Sequence, residues 1–318
     1  MLRSRLRTMV LAVAMMVPVA GVRAQDADKL FPRDSEIVAQ FNVRQLLDSA
    51  LVTKYLGEQL KNGLKDEETA KTFKALNLDP MKDITRVTLA AAGTDPNDAR
   101  LVIVVDGRFD TKAMGESIAT YARTNPKEFG AEKLGEKTVY KITNEKMPTP
   151  VYLGIVSDKQ LVLASKKETL TTAFAGTGKN ELSEEMAKLV AGMNKTATMS
   201  MVASIKGKLD ALPINDDETR KLLNGAESLS MQLNLDKGFG LTIGLGMDKP
   251  ASAAAMSKKL GELVGLGKLL LPNLAKDQPD LKPVIGLLNS VKETAKGNSA
   301  QLELKLSEED LLKFVPKE

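Results

Sequence analysis

The chain has 318 residues, of which 43% are hydrophobic and 27% are charged, values that are ordinary for a globular protein of about two domains. It contains no histidine, cysteine or tryptophan, which excludes Ser-His-Asp triads, thiolate chemistry, disulfides and zinc sites built on histidine or cysteine. Basic residues number 45 against 41 acidic ones, and aromatic residues are only 4%, too few for the stacking platforms of single-stranded nucleic acid; we expect no nucleic-acid partner.

Residues 1–24 are predicted to be a secretory signal peptide. Arginines precede a short apolar run over 9–19, and Val22 and Ala24 occupy the −3 and −1 positions of a cleavage site before Gln25. The apolar run is shorter than the roughly 20 residues of a membrane-spanning helix. An uncleaved anchor is the alternative, and it would be the only membrane contact that we expect. Since this segment holds four arginines and no acidic residue, the rest of the chain has zero formal net charge.

The first unit, residues 25–178, is predicted to alternate strands and helices. Residues 36–43 alternate apolar and polar side chains as a half-buried strand does, and one helix with leucines on one side follows. Strands over 84–91 and 101–105 flank a turn-forming segment, which predicts a hairpin. The remaining predicted elements are a helix over 111–124 and strands over 137–143, 151–156 and 160–164.

The second unit, residues 179–318, repeats much of this order. Three alignments support the repeat: FNVRQLLD from Phe41 with ASIKGKLD from Ala203, Val87 with Leu229, and Ser165 with Ser307. In the last pair a strand ends at Ser-x-x-acid, a helix-capping pattern. We interpret the order as an internal duplication. The predicted fold is α+β, with two similar units that are each an antiparallel sheet covered by helices.

Three segments carry a resemblance to a known group of proteins. They are LFPRDSEIVAQFNVRQLLDSALV from Leu30, LNLDPMKDITRVTLAAAG from Leu76 and LELKLSEEDL from Leu302. Together they resemble a large group of uncharacterised exported proteins of planctomycete-type bacteria. The resemblance implies export and a duplicated α+β fold, and it implies no activity, cofactor or site residue.

Few residues remain as catalytic candidates. The S-x-x-K spacing of serine-lysine enzymes does not occur after residue 24, and Ser204 and Lys206 would lie on different sides of a helix. Asp106 and Asp110 could form the carboxylate pair of a hydrolase. The alternative is that Asp106 and Gly107 make a turn and that Asp110 caps the next helix. We expect no enzyme, no catalytic residue and no cofactor, and keep a carboxylate-dependent hydrolase as an alternative.

The acidic and glycine-rich segments are predicted to be structural. Acidic clusters begin at Ser183, Asn215 and Ser307, but none has the spacing of a calcium loop, so we expect helix capping and no metal. Glycines 238, 240, 244 and 246 alternate with apolar residues, which is typical of a strand and not of a phosphate-binding loop.

Apolar residues crowd the segment 260–291 in two helical patterns separated by Pro279. Burial in the core is one interpretation, and a hydrophobic pocket or partner surface between these helices and the sheet is the other. We predict an exported protein, periplasmic or extracellular, with a non-enzymatic binding or structural role in the cell envelope. A periplasmic carrier of a hydrophobic ligand is an alternative, and the candidate partners are a hydrophobic small molecule or an envelope protein.

Overall fold

The computed structural model describes residues 24–93, 99–143, 149–209, 216–236, 238–277 and 282–312. Of the predicted signal peptide, only Ala24 lies within these ranges. Asn215, where one predicted acidic cluster begins, lies outside them. Within them the fold is mixed α+β, as predicted, with one twelve-stranded antiparallel sheet and eleven α-helices. None of the described helices combines the length and the apolar character that crossing a membrane requires.

The strands lie in the order β11-β12-β10-β9-β8-β1-β2-β3-β7-β6-β5-β4 across the sheet. Their bounds are β1 (Ile37–Phe41), β2 (Ile84–Ala92), β3 (Arg100–Gly107), β4 (Phe129–Leu134), β5 (Lys137–Ile142), β6 (Val151–Ser157), β7 (Gln160–Ala164), β8 (Met199–Ser204), β9 (Ala226–Asn234), β10 (Phe239–Met247), β11 (Val291–Lys296) and β12 (Ser299–Leu306).

The helices connect these strands. They are α1 (Val43–Asp48), α2 (Gly57–Leu64), α3 (Glu67–Ala75), α4 (Pro80–Asp83), α5 (Thr111–Thr124), α6 (Lys167–Ala175), α7 (Glu184–Ala191), α8 (Asp217–Asn224), α9 (Pro250–Asp277), α10 (Lys282–Asn289) and α11 (Glu308–Leu312). A 3₁₀ helix spans Ala24–Leu30, and a π-helical segment spans Val52–Leu56.

Strands β1 and β8 join the two predicted units in one continuous sheet. Ile37 pairs with Ala203, Ala39 with Met201 and Phe41 with Met199. We call the side of the sheet that carries these residues the front face and the other side the back face, since side chains alternate along a strand.

Both faces of β2, β3 and β7 are covered by helices. On the front face, Met114 and Ile118 of α5 pack with Val105 and Leu161 in one core cluster. On the back face, a second cluster joins the strands to the 3₁₀ helix, α6 and α7 through Phe31, Val102, Val162, Leu170 and Met186. The region around β2, β3 and β7 therefore holds most of the buried core.

Four of the five predicted helix caps are present. Asp110 accepts a bond from the Ala113 amide, Asp216 from Thr219 and Ser183 from Met186. Ser307 and Asp310 bond to each other reciprocally, which completes the last cap. The cap predicted at Ser165 is wrong, because its hydroxyl accepts a bond from the Leu101 amide of β3 and the helix starts after Lys166 without a side-chain cap.

Three other predictions are wrong in detail. The single helix after β1 is interrupted near Ser49, whose hydroxyl bonds to a distant strand end. Val291 belongs to β11 and not to a helix, because pairing with β12 takes precedence over the apolar spacing. Asp106 and Gly107 end β3 and do not make a turn.

Candidate functional site

The front face of four neighbouring strands carries only apolar side chains. β1, β8, β9 and β10 are adjacent, and their registers place three front-facing residues of each strand in rows across them. The middle row runs from Ala39 through Met201 and Met231 to Ile243. We call this surface the apolar floor; its residues are Ile37, Ala39, Phe41, Met199, Met201, Ala203, Leu229, Met231, Leu233, Leu241, Ile243 and Leu245.

The apolar floor is only partly covered. Ile37 and Phe41 are each 39% exposed and Ile243 is 36% exposed, while the three methionines and four leucines are half-buried. On the same face of the sheet, Val105 and Leu161 are buried in the cluster under α5. Large contiguous patches of exposed apolar surface are rare on monomeric proteins, and they often mark binding surfaces.

The back face of β9 and β10 is polar. Ser228 and Ser230 of β9 lie beside Gly246 and Gly244 of β10, and a Cβ atom on either glycine would overlap the serine hydroxyl. The glycines let these hydroxyls lie across β10. On these two strands the front face is therefore apolar and the back face is polar. Glycines 240, 244 and 246 lie within β10, as predicted, and Gly238 precedes it.

The segment after α1 bounds one end of the apolar floor. The Ser49 hydroxyl donates a 2.6 Å bond to the carbonyl of Leu235, just after β9, and Lys54 Nζ lies 3.0 Å from Glu308 Oε1 in α11. Its bond with Glu308 raises the pKa of Lys54 above the ordinary lysine value. The segment therefore crosses from the end of β1 to the ends of β9 and β12, and it forms a wall at that edge.

Helix α9 bounds the opposite end. Ala253 and Met256 near its start pack with Ala226 of β9 and Met247 of β10. Farther along the helix, four leucines are between 52% and 72% exposed, namely Leu263, Leu266, Leu269 and Leu270. Core burial therefore does not describe these members of the apolar segment 260–291.

Three of the exposed leucines form one stripe along α9. Leu263, Leu266 and Leu270 follow Lys259 at four, seven and eleven residues, spacings that share one side of a helix. Lys259 Nζ lies 3.5 Å from Asp216 Oδ2 at the start of α8, which leads into β9. Gly261 is on the opposite side of the helix from Lys259, and it lies close to the side chain of Glu293 in the edge strand β11. The leucine stripe is therefore on the side of α9 that faces away from β11.

Asp216 links the start of α8 to this helix. Bonds from the Thr219 hydroxyl and amide lower the pKa of the Asp216 carboxyl, and the charge of Lys259 acts in the same direction. The carboxylate is thus held ionised while it caps α8 and meets α9.

The predicted catalytic candidates have separate structural partners. Asp106 is 2% exposed, lies 3.5 Å from the Arg86 Nε and accepts a bond from Gln160. Asp110 caps α5. The Ser204 hydroxyl bonds to Glu185, whereas Lys206 pairs with Glu227. In the described ranges, no three carboxylate side chains are placed to hold a metal ion.

Comparison of the chain with protein-family models, with curated proteins and with solved structures found no match.

Sequence reasoning identified the leucine-rich helix but did not identify the apolar floor. Met199, Met201 and Met231 alternate with polar residues in β8 and β9, and that alternation is the signal in the sequence. It shows that each strand has an apolar side. Only the registers show that four such sides adjoin one another.

Proposed function

We propose that the protein is a non-enzymatic binding protein that holds a hydrocarbon chain against the apolar floor. The proposal depends above all on the partial exposure of Ile37, Phe41 and Ile243 in one continuous apolar surface. The leucine stripe is a second exposed apolar surface, on the helix that bounds one end of the floor. This proposal corresponds to one of the alternatives from the sequence, a carrier of a hydrophobic ligand.

The chemistry of the floor favours a hydrocarbon over a peptide. β8, β9 and β10 are interior strands, so their backbone amides and carbonyls pair within the sheet. The floor side chains offer no hydrogen-bonding group beyond the weak thioether sulfur. A peptide backbone would lose its bonds to water without replacing them, whereas a hydrocarbon brings no such groups. Methionines also adapt their shape to varied apolar ligands.

The proposal predicts saturable binding of 11-dansylaminoundecanoic acid, followed by the fluorescence of the dansyl group. Ile243→Asp and Leu266→Asp are each expected to weaken binding at least about tenfold, because a carboxylate against a hydrocarbon chain loses hydration. Leu269→Asp is the matched control, since Leu269 is exposed on the same helix but lies outside the leucine stripe. It should retain affinity within about twofold.

Circular dichroism would verify that each variant is folded. Equal affinities for all three variants, or fluorescence that rises without saturation, would refute hydrocarbon binding at this face. Concentration-dependent loss of probe binding with dimer formation in sedimentation would indicate instead that a second copy covers the floor.

We further propose that the protein is exported to the periplasm or the extracellular space, as the resemblance to planctomycete-type exported proteins also implies. N-terminal sequencing of protein from the native host is expected to begin at Gln25. Ala27 and Phe31 are 2% and 3% exposed in the core cluster of the back face, so cleavage farther along the chain would remove core residues. An intact Met1 species in the membrane fraction would instead support an uncleaved anchor.

We also propose that residues 25–178 and 179–318 derive from one duplicated unit. Counted outward from the central pair, the order β1-β2-β3-β7-β6 corresponds to β8-β9-β10-β12-β11. Each unit then has a central hairpin followed by a helix, α5 in one and α9 in the other. The hairpin β4–β5 is an addition in the first unit.

Two details of register support the duplication. In the alignment that equates Phe41 with Ala203, Ala39 is equivalent to Met201, and these two residues pair at the centre of the β1–β8 contact. The pairing is therefore symmetric about its centre, as expected for two equivalent strands. A bulge leaves Thr85 of β2 unpaired two residues before Val87, and the register shift in β9 leaves out Glu227 two residues before Leu229. The last strands fit less well. Val105 and Leu245 are equivalent, since they pair with the aligned residues Val87 and Leu229. Leu161 pairs with Val105, and Ala300 pairs with Leu245. The Ser165–Ser307 alignment, however, equates Leu161 with Glu303, three residues after Ala300.

A further inference from the structure

A cleft of about 660 Å³ lies at the back face, between the 3₁₀ helix and α6. Its size is within the range of about 300–1,000 Å³ that small-molecule sites occupy. Gly178 forms part of its wall, where a Cβ atom would overlap the carbonyl oxygen of Lys29, so glycine allows this segment to lie against the 3₁₀ helix. The cleft is remote from the apolar floor because it opens on the other side of the sheet.

The side chains around the cleft carry more positive than negative charge. Five lysines and arginines line it against three carboxylates. Arg100 is held by an ion pair with Asp34, and its Nε is buried without a hydrogen-bond partner. Among the described residues, Arg33, Lys166 and Lys179 form no ion pair within the cleft or outside it. These cations are therefore available to a ligand.

The first turn of α6 also faces this cleft. Lys166, the residue just before the helix, provides no side-chain cap, and the Ser165 hydroxyl is bonded to the Leu101 amide instead. Thr169 and Thr172 place hydroxyls on the same wall. Uncapped amides at the start of a helix and hydroxyl groups both donate hydrogen bonds to oxyanions, and they complement the surrounding cations.

We propose that this cleft binds a small molecule that carries an oxyanion, either a phosphate or a carboxylate. The charged groups would hold the oxyanion, while Leu30, Pro32 and Val102 would contact the rest of the molecule. The volume exceeds that of a free phosphate ion, so the natural ligand is larger than the probe used to test the site.

The test is a titration of the protein with inorganic phosphate, and separately with acetate, at constant ionic strength, followed by amide chemical shifts. Saturable shifts at Thr169 and Gly178 with either anion are expected, and the tighter anion identifies the class. Lys166→Gln and Lys179→Gln should each weaken binding about two- to fivefold, as removal of one exposed charge contact does. Lys292→Gln removes the same charge from β11 and should leave the affinity unchanged.

Shifts that grow linearly with both anions, or equal weakening by all three lysine variants, would overturn the proposal. The dansyl probe separates this site from the apolar floor, because Lys166→Gln should bind that probe like the unmodified protein. Loss of both kinds of binding in Lys166→Gln would contradict the assignment of two separate sites.

Discussion

Ile118→Ala is expected to lower the free energy of unfolding by about 3–4 kcal/mol, as large-to-small changes in a packed core do. Ile118 is fully buried, at 0% exposed, in the cluster formed by α5 and the front face of the first unit. The lost methyl and methylene contacts and the remaining cavity both contribute. Urea unfolding followed by circular dichroism would measure the change.

Ile243→Ala is the matched comparison because it removes the same atoms from the apolar floor. Ile243 is 36% exposed, so the cost should be about 1 kcal/mol. Similar costs at the two positions would mean that Ile243 is packed like a core residue, and they would contradict an open floor.

Asp106→Ala is expected to destabilise the protein by about 3 kcal/mol, the low end for breaking a buried ion pair. The substitution removes the carboxylate beside Arg86 and the acceptor for Gln160, which leaves a partly buried guanidinium without that partner. Arg86 retains 20% side-chain exposure, so water offsets part of the cost. Thermal and urea unfolding would measure it.

Asp48→Ala provides the control for Asp106→Ala. Asp48 pairs with Arg44 at 3.3 Å, but both side chains are exposed, so the expected cost is below about 1 kcal/mol. Equal effects of the two substitutions would show that the Asp106 pair is no stronger than a surface contact.

Local patterns were sufficient to predict much of this fold. The helix over 111–124 has the predicted bounds, and the alternation over 84–91 and 101–105 marks a true hairpin. The caps at Asp110, Asp216 and Ser183 were also readable, because a cap depends on residues only a few positions apart. Such features need no knowledge of the rest of the chain.

The predictions that were wrong concern residues whose partners are far away in the sequence. The Ser165 hydroxyl bonds to Leu101 instead of capping a helix, and the Ser49 hydroxyl bonds to Leu235 at the point where the predicted single helix is interrupted. The apolar floor is likewise a product of pairing between β1 and β8, whose residues are far apart in sequence. No periodicity within one strand reveals which strand lies beside it.

The symmetric pairing of β1 with β8 bears on how the molecule would behave if its chain were divided. A break between α6 and α7 would turn β1 and β8 into edge strands of their fragments, and an open strand edge recruits other strands. Since Ala39 and Met201 face each other at the centre of the pair, either fragment could close that edge by binding a copy of itself in a two-fold dimer. Continuity of the chain makes the correct pairing intramolecular, so it is independent of protein concentration and favoured over self-association.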